Sequence, residues 1–162
     1  MASTYEPIAS TTLGSAAASY TFSSIPGIFT DLVVVIDVVG SGATRGYPAF
    51  RFNSDTGSNY SNTAVYGTGS AGSGRYSSQT EMYLSNFISG FNSSIRFVGI
   101  AHVMSYANTS VYKTALISGA NDSVERSVGL WRSTSAITSI EVRGSQQFGT
   151  GSTFSLFGVK AA

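Results

Sequence analysis

A carboxylate in a glycine-containing turn is the first residue of this chain whose setting suggests chemistry. Asp55 lies in the string Ser-Asp-Thr-Gly-Ser, of the kind in which aspartic proteases hold a catalytic carboxyl group. Those enzymes bring two such aspartates together so that the pair shares one proton, and a single copy would need a symmetric dimer. Asn53 and Ser54 stand where the protease loop needs apolar strand residues. Because Asp-Thr-Gly is also an ordinary turn sequence, we interpret this string as a turn.

The other candidate motifs lack the partners that their chemistry needs. Residues 67–72, GTGSAG, match a dinucleotide-binding pattern, but the SGRYSSQ that follows is a poor opening for the required helix. His102 is the single histidine and falls inside a predicted strand, which favours a structural role. With one histidine and no cysteine, one chain cannot assemble a histidine-based triad or a zinc site. We predict no catalytic, cofactor-binding or metal-binding residues and no enzymatic activity, although scattered carboxylates can still meet in space as glycosidase pairs.

Tyrosines in or beside glycine- and serine-rich segments are the strongest candidates for contact residues. A tyrosine ring combines an apolar face with a hydroxyl group that forms hydrogen bonds, which suits contacts with proteins or sugars. The same tyrosines could instead close the ends of a sandwich, and the sequence leaves both interpretations open. The predicted contact residues are Tyr47, Tyr60, Tyr66, Arg75 and Tyr76.

Charge is scarce in this chain of 162 residues, of which 10% are charged, with a net charge of +1. The nine basic residues are spread singly, so we expect no nucleic-acid partner. The most apolar stretch, 32–39, is too short to cross a bilayer and contains Asp37, so we expect no membrane partner. No secretory leader is visible, which predicts folding in a cytoplasm. The absence of cysteine excludes disulfides and thiolate chemistry.

Strand signals dominate the chain, and helix signals are almost absent. Runs of β-branched and aromatic residues alternate with clusters of Gly, Ser, Asn and Pro. This spacing predicts an all-β protein, an antiparallel sandwich or barrel of about ten short strands. The candidate strands are 5–12, 19–22, 31–39, 49–52, 63–66, 80–87, 94–106, 111–118, 127–132, 137–143 and 153–160.

Three segments carry more specific expectations within a single predicted domain, 1–162. In 94–106 both alternating sets of residues are apolar, which predicts a central strand covered on both sides. Segment 40–78 is dense in Gly, Ser, Asn and Tyr, which predicts long loops around two short strands. Residues 149–152 are predicted to form a hairpin turn into the last strand.

The two ends of the chain carry a family resemblance. Residues 5–36 read YEPIASTTLGSAAASYTFSSIPGIFTDLVVVI, and residues 139–162 read SIEVRGSQQFGTGSTFSLFGVKAA. Both resemble small structural proteins of tailed bacteriophages, especially phages of aquatic bacteria and cyanobacteria. In those proteins a PIA…TL strand leads through FSSIP to a TDLVV strand, and an aromatic residue and a Gly-Ser turn precede a final F-x-L-aromatic-G strand. The matching closing positions are Phe148, Gly151, Ser152, Phe154, Leu156, Phe157 and Gly158.

The resemblance implies a β-sandwich, often jelly-roll-like, located in the virion after synthesis in the host cytoplasm. Its first implied function is capsid decoration, in which the protein binds the major capsid protein and stabilises the head against packed DNA. The alternative is a tail-fibre or knob module whose tyrosine-rich loops bind host-surface glycans. The implied partner is the major capsid protein or another virion protein, together with further copies of the chain. A homotrimer is expected because threefold symmetry is common in such proteins.

Overall fold

Twelve antiparallel strands and no helix build the described part of the chain. The computed structural model describes residues 4–87 and 90–160. The strands are β1 Tyr5–Thr12, β2 Ala17–Phe22, β3 Asp31–Val38, β4 Pro48–Phe52, β5 Tyr60–Gly67, β6 Ala71–Gln79, β7 Met82–Tyr83, β8 Phe97–Met104, β9 Lys113–Ala120, β10 Val124–Trp131, β11 Ile140–Phe148 and β12 Thr153–Val159. The prediction of an all-β, antiparallel protein is confirmed, with twelve strands in place of about ten. Across the residues described, no helix is long and apolar enough to span a bilayer.

The strands form two sheets with jelly-roll connectivity. The larger sheet has the order β1-β12-β3-β8-β9-β10-β5-β6, and the smaller has the order β2-β11-β4-β7. When the hairpins β5–β6 and β9–β10 are set aside, the remaining eight strands, renumbered along the chain, run 1-8-3-6 and 2-7-4-5. That is the strand order of an eight-stranded jelly roll. Both hairpins add to the same edge of one sheet, which therefore grows from four strands to eight.

The core lies between the inner faces of the two sheets. Alternation sets it up, because every second residue of a strand points to the same side. In β12, Phe154 and Leu156 are fully buried, while Phe157 between them and the strand end faces outward and is half-buried. The ring of Phe154 stacks on Tyr20 with centroids 5.5 Å apart and meets Phe148 edge-on at 5.2 Å. The last strand is therefore an internal part of the larger sheet, bonded to β1 on one side and β3 on the other.

We call β5–β6 and β9–β10 the inserted hairpins. Their inner side is covered by β7 and the residues around it. Gly129 of β10 leaves no room for a Cβ, because the thioether of Met82 lies directly against its Cα. The buried side chain of Asn62 pairs with the backbone of Tyr83: its Nδ2 donates to the Tyr83 carbonyl oxygen at 2.9 Å, and its Oδ1 accepts from the Tyr83 N–H at 3.0 Å. This amide satisfies the backbone of a strand of only two residues, much as another strand would.

Segment 40–78 holds three strands, which corrects the expectation of long loops around two. Residues 71–79 form β6, a nine-residue strand that pairs with β5. Glycine and serine carry little β-propensity, so no strand signal is visible there. The pairing with β5 supplies the order that local preference does not. The predicted strand 80–87 is correspondingly reduced to the two residues of β7.

Residues 149–152 form a link between the two sheets and not the predicted hairpin turn. The strands on either side, β11 and β12, lie in different sheets. The link is held to the end of β3, because the Gly149 N–H donates to the Val39 carbonyl oxygen at 2.7 Å and Ser152 Oγ accepts from the Val39 N–H at 3.1 Å. Gly151 takes a φ of 82°, a left-handed conformation that glycine adopts without a steric penalty.

The two faces of β12 predict two different costs of truncation. We expect Phe154→Ala to lower the free energy of unfolding by about 3–5 kcal/mol, because it opens a cavity among buried rings. Phe157→Ala, on the outward side of the same strand, removes a ring of the same size that is only half-buried, so its cost is smaller. Chemical denaturation at low protein concentration measures both values. Equal losses for the two variants would contradict this assignment of the faces.

Candidate interaction surface

The outward side of the eight-stranded sheet is apolar and open to solvent. We call the outward residues of β3, β8, β9, β10 and β5 the apolar face. Its exposed large apolar side chains are Val65 (62% exposed), Val98 (53%), Ile100 (45%), Met104 (40%), Leu116 (48%), Val124 (62%) and Val128 (49%). Single exposed apolar residues are normal on protein surfaces, whereas a contiguous group of this kind marks a contact site.

Strand register makes this group contiguous. Directly opposite residues on neighbouring strands have Cβ atoms about 5 Å apart, so paired positions form rows across the sheet. Three rows cross all five strands of the apolar face: Asp37-Val98-Ala120-Val124-Gly67, Val35-Ile100-Ser118-Arg126-Val65, and Val33-His102-Leu116-Val128-Thr63. A fourth row, Met104-Thr114-Leu130-Ser61, crosses four of them. The sequence expectation that β8 is covered on both sides is wrong for the described chain, because only its inner side is buried.

Strand β10 shows the reverse of an ordinary half-buried pattern. Its inward side holds Glu125 and Ser127, which are 3% and 7% exposed, and its outward side holds the exposed Val124 and Val128. The inward Trp131 at its end is fully packed against aromatic rings and fixes which way the strand faces. Burying a carboxylate while valines face water is unfavourable for a chain that works alone. The pattern is the one expected of a strand whose outward side is also covered in an assembly.

Arg126 stands at the centre of the apolar face. Its neighbours across the strands are Ser118 and Val65, and its neighbours along β10 are Val124 and Val128. Three shallow depressions of the surface share Arg126 as part of their walls. Within the described ranges, Arg126 forms no ion pair. A guanidinium group in such a place offers several donors to a carboxylate on whatever covers the face.

Polar pairs border the face where β3 meets β8. His102 Nε2 lies 2.9 Å from Asp31 Oδ2, and the other oxygen of that carboxyl accepts from the Ser105 N–H at 2.7 Å. Arg96 Nε donates to Asp37 Oδ1 at 2.8 Å, with both side chains over 40% exposed. His102 therefore has a structural partner, in line with its interpretation as a structural residue.

The predicted contact residue Tyr60 lies in the core, which corrects the expectation that it sits on a loop surface. Its ring is fully buried and stacks on Trp131 with centroids 6.2 Å apart. Its hydroxyl group accepts from the Phe52 N–H at 3.0 Å and donates to the Asp55 carbonyl oxygen at 3.2 Å. Burial raises the pKa of Tyr60 to about 12. The residue begins β5, and inward alternation carries it into the sandwich.

The other predicted contact residues lie apart from one another. Tyr66 and Tyr76 are half-buried and both pack against Phe87, with centroids 5.5 Å and 4.7 Å from its ring, so they belong to the inner cover of the inserted hairpins. Tyr47 is half-buried beside β11, where its N–H donates to Ser145 Oγ at 2.9 Å. Arg75 alone among them is exposed, and it faces outward on β6 opposite Thr63, at the margin of the apolar face.

Asp55 fastens a turn, as the sequence interpretation proposes. Its Oδ1 accepts from the Gly57 N–H at 2.8 Å, and its Oδ2 accepts from Asn59 Nδ2 at 2.9 Å and from Trp131 Nε1 at 2.6 Å. Partial burial raises the pKa of Asp55, but these three hydrogen bonds outweigh burial and hold the pKa below its ordinary value. The carboxylate thus acts as an acceptor that satisfies the buried indole.

A buried ammonium group is likewise structural. Lys113 begins β9 and is fully buried, and its Nζ donates to the carbonyl oxygens of Asn108 at 2.6 Å, Val111 at 2.8 Å and Thr134 at 3.1 Å. Burial lowers the pKa of Lys113. Three carbonyl oxygens from two loops meet at this one cation, which joins those loops. The described residues include no cluster of three or more His, Asp or Glu side chains placed to hold a metal ion.

Comparisons with known proteins leave the surface to be interpreted from its own geometry. Searches against protein-family models, curated proteins and solved structures found no match to this chain. The sequence did carry one signal for the apolar face, because β8 and β9 place apolar residues on both sides, and β10 places its valines on the side opposite Trp131. Three such strands that pair in succession indicate a broad second face, whereas each strand alone indicates only a central position.

The hydrogen bonds of Asp55 predict an acid-dependent part of the stability. Because the folded-state pKa is lowered, this contribution is complete above the unfolded pKa of about 3.9 and is lost as the pH falls through the folded value. We expect Asp55→Asn to cost about 1–3 kcal/mol at pH 7 and to flatten the stability profile at acidic pH. Denaturation series between pH 2 and 7 measure this effect, with Glu141→Gln as the control for loss of one carboxylate. An unchanged acid limb in Asp55→Asn would refute the assignment.

Proposed function

We propose that this chain is a structural protein of a bacteriophage virion that decorates the capsid by binding the major capsid protein. The observation that carries the proposal is the inverted pattern of β10, which buries Glu125 and Ser127 and exposes Val124 and Val128. Such a strand suits a protein that works inside an assembly. In this role the protein acts through buried area and repeated contacts, without a chemical step.

The resemblance supports the proposal at the level of the scaffold. The matching segments, 5–36 and 139–162, contain β1, β2, β11 and β12 and most of β3, which together are five of the eight jelly-roll strands. The inserted hairpins lie in the unmatched middle of the chain and supply most of the apolar face. A shared scaffold with an individual contact surface is the usual way in which one fold serves many binding functions.

The glycan-binding alternative has less support. It depended on tyrosine rings on mobile loops, and Tyr60 is inside the core while Tyr66 and Tyr76 pack against Phe87. Sugar binding needs an accessible ring as a platform, and of these four tyrosines Tyr47 is the one outside that packing. We therefore keep the tail-fibre or knob function as the alternative that the head-binding experiment below can favour.

Binding to heads tests the proposed function. Purified protein added to phage heads that lack it is expected to bind at a fixed stoichiometry and to raise the temperature at which the heads rupture. Val128→Asp is expected to weaken that binding, because a charge on the apolar face disrupts the assembly on which repeated contacts with the head depend, whereas Thr21→Asp adds the same charge to the outer side of the smaller sheet and is expected to bind normally. Sedimentation and a thermal DNA-release assay measure both effects.

Two results would remove the decoration function. One is the absence of saturable binding to heads by a protein that is folded by circular dichroism. The other is specific adsorption to host cells or glycans without binding to heads, which would favour the tail-fibre function.

A further inference from the structure

The geometry points to pairing of two copies of this chain through their apolar faces, about a two-fold axis that runs parallel to the strands between β8 and β9. The inference takes its setting from the proposed assembly function, but its observations are those of the face alone. It assigns the covering partner of the face to a second copy, and it replaces the threefold symmetry expected from sequence with twofold symmetry for this contact.

The size of the face suits such a contact. Eight strands about 4.8 Å apart, each about 26 Å long, give an outer side of roughly 900 Å², of which the five strands of the apolar face make up about 500 Å². A standard interface buries about 800 Å² on each partner, with an apolar centre and a polar rim. The rows of this sheet have that distribution, because the apolar centre is bordered by Asp31 and Asp37 on one side and by Arg75 on the other.

The shape of the face is complementary to itself under this symmetry. A two-fold axis between β8 and β9 places β8 of one copy over β9 of the other. Because the axis is parallel to the strands, each residue faces a residue of the partner from the same row. Ile100 then lies over the partner's Ser118, and Val98 lies over the partner's Ala120, since these residues are already row neighbours within one chain. In these two rows large side chains meet small ones, which lets the two faces interdigitate, whereas in the next row His102 lies over the partner's Leu116. An axis through β8 itself would instead set Ile100 against its own copy.

The charges of the face are complementary under the same symmetry. The axis between β8 and β9 also sets β10 of one copy over β3 of the other, because each lies one strand beyond the central pair. Arg126 comes to lie over the partner's Val35, two residues along the strand from the partner's Asp37. Arg96 binds Oδ1 of Asp37 in its own chain, and the side chain is 41% exposed, so its carboxylate remains open to a second donor. Each pair of copies would form two such ion pairs.

Solution mass is the first test. Light scattering coupled to gel filtration across a range of concentrations is expected to give a dimer of about 34 kDa, twice the 16.9 kDa of the chain. A monomer at every concentration would overturn the inference, and a trimer would overturn the twofold arrangement.

Matched substitutions then locate the contact. We expect Ile100→Asp to raise the dimer dissociation constant roughly 100-fold, because the symmetry buries the new charge twice. Arg126→Glu, which faces the partner's Asp37, should raise it roughly tenfold, and more so at low salt. Ile28→Asp places the same charge on an exposed turn outside the face and should leave it within about twofold. A dimer that survives Ile100→Asp in a variant with an unchanged unfolding temperature would refute the proposed surface.

The failure of the pairing and the failure of the proposed function are distinguishable. A dimer that depends on Ile100 but does not bind heads leaves the pairing intact and removes capsid decoration. A monomer that binds heads, with binding lost in Val128→Asp, overturns the pairing and assigns the apolar face to the capsid protein.

Discussion

The rest of the structure depends on one constraint: side chains must pack very close to the backbone on the inner side of the added strands β5, β6, β9 and β10. The four-stranded sheet is half as wide as its partner, so the inner side of the added strands must be sealed by what lies nearest. Glycines make this possible: Gly119 leaves its space to the ring of Phe97, and Gly129 leaves its space to Met82. A methyl group at Gly119 would displace the Phe97 ring of the neighbouring strand, and one at Gly129 would displace Met82 of the smaller sheet. The larger sheet can therefore be this wide because small residues line its inner side.

Where the inner side of a strand holds small or polar residues, most of its apolar side chains lie on the outer side. Along β10 the inner positions hold Glu125, Ser127 and Gly129, so most of the apolar content of the strand lies on its outer side. Of the inner polar groups, Glu125 accepts a hydrogen bond from Ser85 Oγ at 2.8 Å, whereas Ser127 Oγ is buried without a hydrogen-bond partner among the described residues. Burial of the inner side of β10 therefore contributes little hydrophobic stabilisation, and the outer side carries more apolar area that a partner could bury. An assembly that covers the outer side completes the burial that the single chain leaves unfinished.

The fold class was predictable from sequence because alternation and turn spacing are local signals. The jelly-roll strands β1, β3 and β12 match their predicted bounds within one residue for the same reason. Strand β6 was not predictable, because Gly-Ser-Gly sequences carry no strand preference and its order comes from β5 and from the rings packed on it. Tyr60 was misplaced because loop composition around it hid the inward alternation of β5. The apolar face could be inferred only by reading three strands jointly, since one strand with two apolar sides is equally consistent with burial on both.

The opposite side of the molecule carries charged groups where the apolar face carries valines, so the two outer sides differ as contact surfaces. On the outer side of the smaller sheet, Glu81 pairs with Arg143 at 3.2 Å and with Arg51 at 3.6 Å, so charged groups from β4, β11 and the residue before β7 already neutralise one another within the chain. Ion pairs that are already formed within the chain gain little from being covered, because further burial removes their remaining water without adding a partner. The apolar face gains free energy from every valine that it covers. Contact between copies therefore favours the face built on the inserted hairpins and leaves the charged side of the jelly roll turned to solvent.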